Sequence, residues 1–146
     1  MTSDVLPASA IRFNVPAADW REAVRAAGDS LVTAGTTTDD YTDQMIEAIE
    51  NLGPYIVVAP GFALAHARPS EAVLRTGLSW ISLAEPVEFG SELNDPVTLV
   101  VGLAALDHDS HLEVMSKLAR VLTNPDMLAR LRASEDAEQI RAELLG

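Results

Sequence analysis

The chain has 146 residues, 48% of them hydrophobic but only 5% aromatic, so one domain with a core of Leu, Val, Ile and Ala is expected. It contains no cysteine, which excludes a disulfide framework, a thiolate metal site and a cysteine nucleophile, and agrees with a reducing, cytoplasmic setting. A net charge of −12, from 22 acids against 10 bases, argues against nucleic acid and anionic membrane as partners, and suits either a plain solvated surface or a basic protein partner.

Met1–Ala10 has no basic residue and no long apolar run, so no signal peptide is read there. Ile11–Val15 reads as a short extended piece ended by Pro16. Residues 17–33 follow as a helix, with Trp20, Val24, Ala27 and Leu31 at helical spacing. A second helix starts near Thr38, with Asp39 and Asp40 at the positive end of its dipole and Tyr41, Met45, Ala48, Ile49 and Leu52 as an inner stripe. Gly53 and Pro54 stop it. Tyr55–Ala59 reads as a continuous apolar strand, Pro60-Gly61 as a turn, and Phe62–His66 as a strand with Phe62, Leu64 and His66 on one face.

Ser70–Arg75 is read as a short helix or turn, and Leu78–Leu83 as a strand. Between Pro86 and Pro96, Val87 and Phe89 are assigned to an edge strand. The longest apolar stretch, Val97–Leu106, is interrupted by Thr98 and Gly102 and falls far short of the roughly 20 residues that span a bilayer. It supplies a buried strand over 98–105 in a soluble protein. Ser110–Leu122, Pro125–Ala133 and Asp136–Leu145 read as helices. The expected fold is α/β, a single domain over 1–146 with a mixed sheet of about five strands flanked by helices on both faces.

The reactive candidates are the three histidines, His66, His108 and His111, because imidazole titrates near neutral pH without perturbation. His66 stands at a strand end before Pro69, as an ordinary strand-end histidine or a reactive one. Ser110-His111-Leu112-Glu113 matches the S-x-x-E capping box, which makes Ser110 the N-cap and His111 the first helical residue, facing free backbone N–H groups. A metal site built from Asp107, His108, Asp109 and His111, serving a hydrolase, is the competing reading. In the capping-box register His108 lies outside the helix and need not share a face with His111. The G-x-x-x-x-G-K-[ST] nucleotide loop is missing.

The run GPYIVVAPGFALAHARP, Gly53 to Pro69, resembles the signature of the mannitol/fructose-type IIA domains of bacterial sugar phosphotransferase systems, and most nearly their ascorbate-type branch. GSELND over 90–95, the strand at 98–105 and Asp109-Ser110-His111-Leu112 extend the likeness, which runs from about Tyr41 to Leu122. The resemblance implies a mixed sheet flanked by helices. It also implies that His66 accepts a phosphoryl group on Nε2 from phospho-HPr and passes it to a cysteine of a IIB component during sugar uptake, ascorbate being the candidate. His111 would lie beside the phosphate, with support from Ser110 and Arg68. No metal or cofactor is called for. Contact with a membrane IIC component would run through IIB, and the oligomeric state, a homodimer included, stays open. A regulatory module with the same histidine is the rival within the family.

Three departures stand out. Ala65 replaces the usual proline and Phe62 the usual isoleucine. The arginine that helps hold phosphate in the mannitol branch is missing, since no arginine lies between Arg25 and Arg68. Arg68 is the nearest cation, and its direction is left open.

Overall fold

The central sheet is mixed because some connections are too short for a helical crossover. The computed structural model describes residues 5–145; the first four residues of the segment read as free of a signal peptide, and residue 146, lie outside the described residues. Strands β1 (Ile11–Val15), β2 (Val57–Ala59), β3 (Phe62–His66), β4 (Gly77–Val87) and β5 (Val97–Ala104) form one sheet in the order β1-β4-β5-β3-β2. β1 runs parallel to β4 and β3 parallel to β5, while β4–β5 and β2–β3 are antiparallel.

Alternation of side chains decides what each face buries. Ala63 and Ala65 of β3, Ile81 and Leu83 of β4, and Val100 and Ala104 of β5 pack under α1 (Trp20–Thr33) and α2 (Asp39–Leu52). Phe62 and Leu64, Leu78 and Trp80, and Leu99, Val101 and Leu103 point the other way. They meet α3 (His108–Leu122), α4 (Pro125–Ala133) and α5 (Ala137–Leu145). Both faces are covered, and β3 and β5 are apolar almost throughout, as expected of a fully buried parallel pair.

α1 and α2 touch closely at Gly28, where an added Cβ would stand within 3.0 Å of three Thr42 side-chain atoms, one of them Thr42 Cβ itself. Thr42 is buried on α2, so neither helix can yield without moving. Gly28→Val is therefore expected to cost about 1–3 kcal/mol through overpacking. At about 2–4 °C per kcal/mol for a chain of this size, the thermal midpoint should fall by several degrees. A calorimetric melt like that of the wild type would mean the helices separate freely.

The GSELND segment is structural. The Asp95 carboxylate accepts backbone N–H groups from Phe89 (3.0 Å), Gly90 (2.7 Å) and Ser91 (3.0 Å), which closes the loop on itself. Asn94 ties that loop to the β2–β3 hairpin, donating to Val57 O at 3.3 Å and accepting Gly61 N–H at 2.9 Å.

Several sequence expectations are corrected here. α1 begins at Trp20 rather than residue 17, because the Asp19 side chain caps Glu22 N–H. β2 is shorter than the apolar run, since Tyr55 and Val57 first make turn hydrogen bonds to Gly53 O and Pro54 O. Ser70–Arg75, read as a short helix or turn, is the turn, touching Thr37 through an isolated bridge at Val73. Val87 is no part of a separate edge strand. It ends β4, which runs on through Pro86 past an irregularity in its pairing with β5, and Phe89 lies beyond it.

Candidate active site

Two parallel strands end side by side at one edge of the sheet, and the site is built there. β3 and β5 run in register, with His66 opposite Leu103. The chain leaves β5 and enters α3 at His108 after three residues, so the start of α3 meets the end of β3. The rings of His66 and His111 come within 6.2 Å between centroids. With His108, Arg68, Ala67, Pro69, Ala48, Leu52 and Tyr55 they line a cavity of about 450 Å³.

His66 is half-buried, and its Nδ1 lies 2.8 Å from Leu64 O. A carbonyl only accepts, so Nδ1 carries the hydrogen and Nε2 keeps its lone pair. Among the described residues Nε2 has no hydrogen-bond partner. Tyr55 meets the ring edge-on, with centroids 5.4 Å apart, and its hydroxyl donates to His66 O at 3.3 Å. Burial pushes the Tyr55 phenol pKa up.

Tyr41 holds the segment behind His66. Its hydroxyl, fully buried, accepts Ala67 N–H at 3.0 Å and donates to Leu103 O at 2.7 Å, so one oxygen joins the ends of β3 and β5. Burial, opposed in part by the bond to Ala67, pushes its pKa up to about 12. Tyr41→Phe would leave two backbone groups short of a partner, at a cost of about 1–3 kcal/mol. The thermal midpoint should fall by roughly 3–10 °C. A melt unchanged from wild type would mean that the hydroxyl holds nothing there.

The start of α3 differs from the capping-box expectation. Asp107 is the N-cap, and its carboxylate accepts Ser110 N–H at 2.8 Å. That contact, through the Ser110 backbone first and its side chain second, lowers the Asp107 pKa. Ser110 therefore stands in the third helical position, and His111, in the fourth, donates its N–H to Asp107 O at 3.1 Å. His108 is the first helical residue, three before His111, so the two share a side of the helix. Burial first, then the charges of His66 and His108, hold the His111 pKa below the usual 6.5.

The model of the family described as phosphoenolpyruvate-dependent sugar phosphotransferase system, EIIA 2, matches residues 4–145. The chain belongs to this family. A relative of this EIIA chain, the ascorbate-specific PTS system EIIA component of Salmonella choleraesuis (strain SC-B67), is 37% identical over 133 residues, 90% of this chain and 86% of that protein. Among solved structures, the mannitol-specific cryptic phosphotransferase enzyme IIA CmtB from Escherichia coli has a TM-score of 0.83 at 31% identity, covering 97% of this chain and 95% of that one. Enzyme IIAMTL from Escherichia coli, solved in complex with phosphorylated enzyme IIBMTL, also gives 0.83, at 29% identity and 96% coverage of each chain. The protein is thus a phosphotransferase component with the mannitol-type IIA fold.

The expected site residues now divide. The fold brings His66, His111, His108 and Arg68 to one cavity, and leaves Ser110, Asp107 and Asp109 off its lining. Arg68, whose direction the sequence left open, lies past the end of β3 and lines the cavity with His66. Among the described residues no three His, Cys, Asp or Glu side chains are grouped to hold a metal ion, Asp107 caps α3, and the family match does not favour the metal-hydrolase reading. Leu52 is no core residue: it is 72% exposed and, with Ala48, walls the cavity. No helix among the described residues is long and apolar enough to cross a membrane. Sequence reasoning missed the Tyr41 hydroxyl, whose one signal was that a buried tyrosine needs a partner.

Proposed function

We propose that EIIA takes a phosphoryl group from phospho-HPr onto Nε2 of His66 and passes it to a cysteine of a IIB component, during uptake of ascorbate. The observation that carries this reading is the Nδ1–Leu64 O hydrogen bond, which fixes the tautomer that leaves Nε2 nucleophilic and unpartnered. Phosphoryl transfer needs little covalent chemistry beyond an in-line nucleophile and donors for three equatorial oxygens. His111 is one donor. Arg68 is exposed on the cavity rim and makes no hydrogen bond or ion pair among the described residues, so its guanidinium is free for a phosphate and takes the place of the missing family arginine. Ser110 contributes only through the helix start. An N–P bond retains transfer potential, which a serine ester would lose, so histidine suits a relay.

IIB as acceptor is supported by the partner in the solved complex of enzyme IIAMTL, and ascorbate by the name of the Salmonella relative. The setting is the cytoplasm, where phosphoenolpyruvate is made, with IIC reached only through IIB. The test uses labelled phosphoenolpyruvate, enzyme I and HPr, followed by a chase with an ascorbate-system IIB. Label should appear on this protein at His66 and leave when IIB is added. Label that never reaches IIB would overturn the relay.

A further inference from the structure

His108 has no part in the scheme above, yet it lines the same cavity as His66 and His111. It is exposed, makes no hydrogen bond to another described residue, and is held beside His111 by the helix that Asp107 caps. The two rings are linked electrostatically, since charge on His108 opposes charge on His111.

The transfer step makes a specific demand on these rings. As the P–Nε2 bond forms, the P–N bond to the donor breaks and its electron pair returns to the donor nitrogen. His66 keeps its Nδ1 hydrogen on Leu64 O, so no proton has to leave the ring. The ring that keeps this hydrogen becomes a phosphorylated imidazolium bearing a dianionic phosphoryl group, so the cavity gains one net negative charge. We propose that His108 is the titratable partner of that charge: with His111 it takes up a proton when His66 is phosphorylated, which ties the phosphoryl-transfer equilibrium to pH.

The other charged or titratable groups around the pair do not fill this role. Arg68, after β3, is charged throughout, and the Tyr55 phenol ahead of β2 keeps its proton. On the helix itself Asp107 is bound to Ser110 N–H, and Asp109 lies off the cavity lining. Only the histidines can change charge near neutral pH.

The inference rests on His66 being the acceptor, and the experiment separates the two. Protein labelled with 13C in histidine is titrated free and after enzymatic phosphorylation, with the 31P signal and fragment mapping reporting the modified ring. Phosphorylation should raise the His108 midpoint by about one unit, as an opposite charge nearby does. By linkage, the equilibrium constant for phosphoryl acceptance then falls about tenfold more from low to high pH than it would without His108. Measured against the same donor, His108→Gln should lose that share of the pH dependence. His108→Lys should lose it too, while holding the acceptance of low pH up to about pH 8. Phosphorus on His66 with an unmoved His108 midpoint, or a wild-type pH slope in His108→Gln, overturns the inference and leaves the function standing. No phosphorus on His66 overturns both.

Discussion

His66→Ala is expected to abolish phosphoryl acceptance. The variant loses the nitrogen whose lone pair is freed by the Nδ1–Leu64 O bond, and no neighbouring ring occupies the same place at the end of β3. The His111 ring centroid is 6.2 Å away, too far to take over the in-line position without moving α3. The fold should survive. His66 is half-buried at a strand end, and its removal leaves one carbonyl short of one partner, worth about 1 kcal/mol. Labelling from phosphoenolpyruvate through enzyme I and HPr, with circular dichroism as the folding control, should give a folded protein without label. A folded His66→Ala that labels fully would remove the assignment.

The sheet, its helical layers and the position of His66 were legible because each rests on a local pattern. Alternation through Phe62–Ala65 gave the right face for each of these residues of β3, and the stripe through Tyr41, Met45 and Ile49 gave the buried side of α2. What stayed hidden depended on where an element stops. Leu52 has the right angle on α2, but the last turn faces the cavity instead of the sheet, so the periodicity holds while the burial does not. The S-x-x-E match put the cap at Ser110, whereas Asp107 caps the helix, and propensity ranks Asp and Ser alike. The end of β5 at Ala104 decides between them, since the earlier cap starts the helix as soon as the chain leaves the sheet. That choice moves His108 into the helix and onto the side of His111. The direction of Arg68 stayed open because it lies two residues past the end of β3, where no strand pattern fixes it.

His111→Ala is expected to slow phosphoryl transfer by roughly 10- to 150-fold without unfolding the protein. The backbone N–H of His111 is already bonded to Asp107 O, so what the residue can offer a phosphate is its ring. One charge-assisted hydrogen bond to an equatorial oxygen is worth about 1.5–3 kcal/mol, and about 1.4 kcal/mol corresponds to a factor of ten in rate. The helix start should persist, because the cap runs from Asp107 to Ser110 and the substitution touches neither. A pH control follows from the lowered pKa of the ring. Just below 6.5 the unfolded chain binds the His111 proton more readily than the folded one, so wild-type stability rises with pH through that window. His111→Ala should lack this part of the slope in urea titrations, which would show that the ring is desolvated in solution as it is in the structure. Rapid-quench measurement of transfer beside wild type then decides its role. A folded variant that transfers at the wild-type rate would make His111 a bystander, and one that takes no label at all would reopen the choice of acceptor between the two rings.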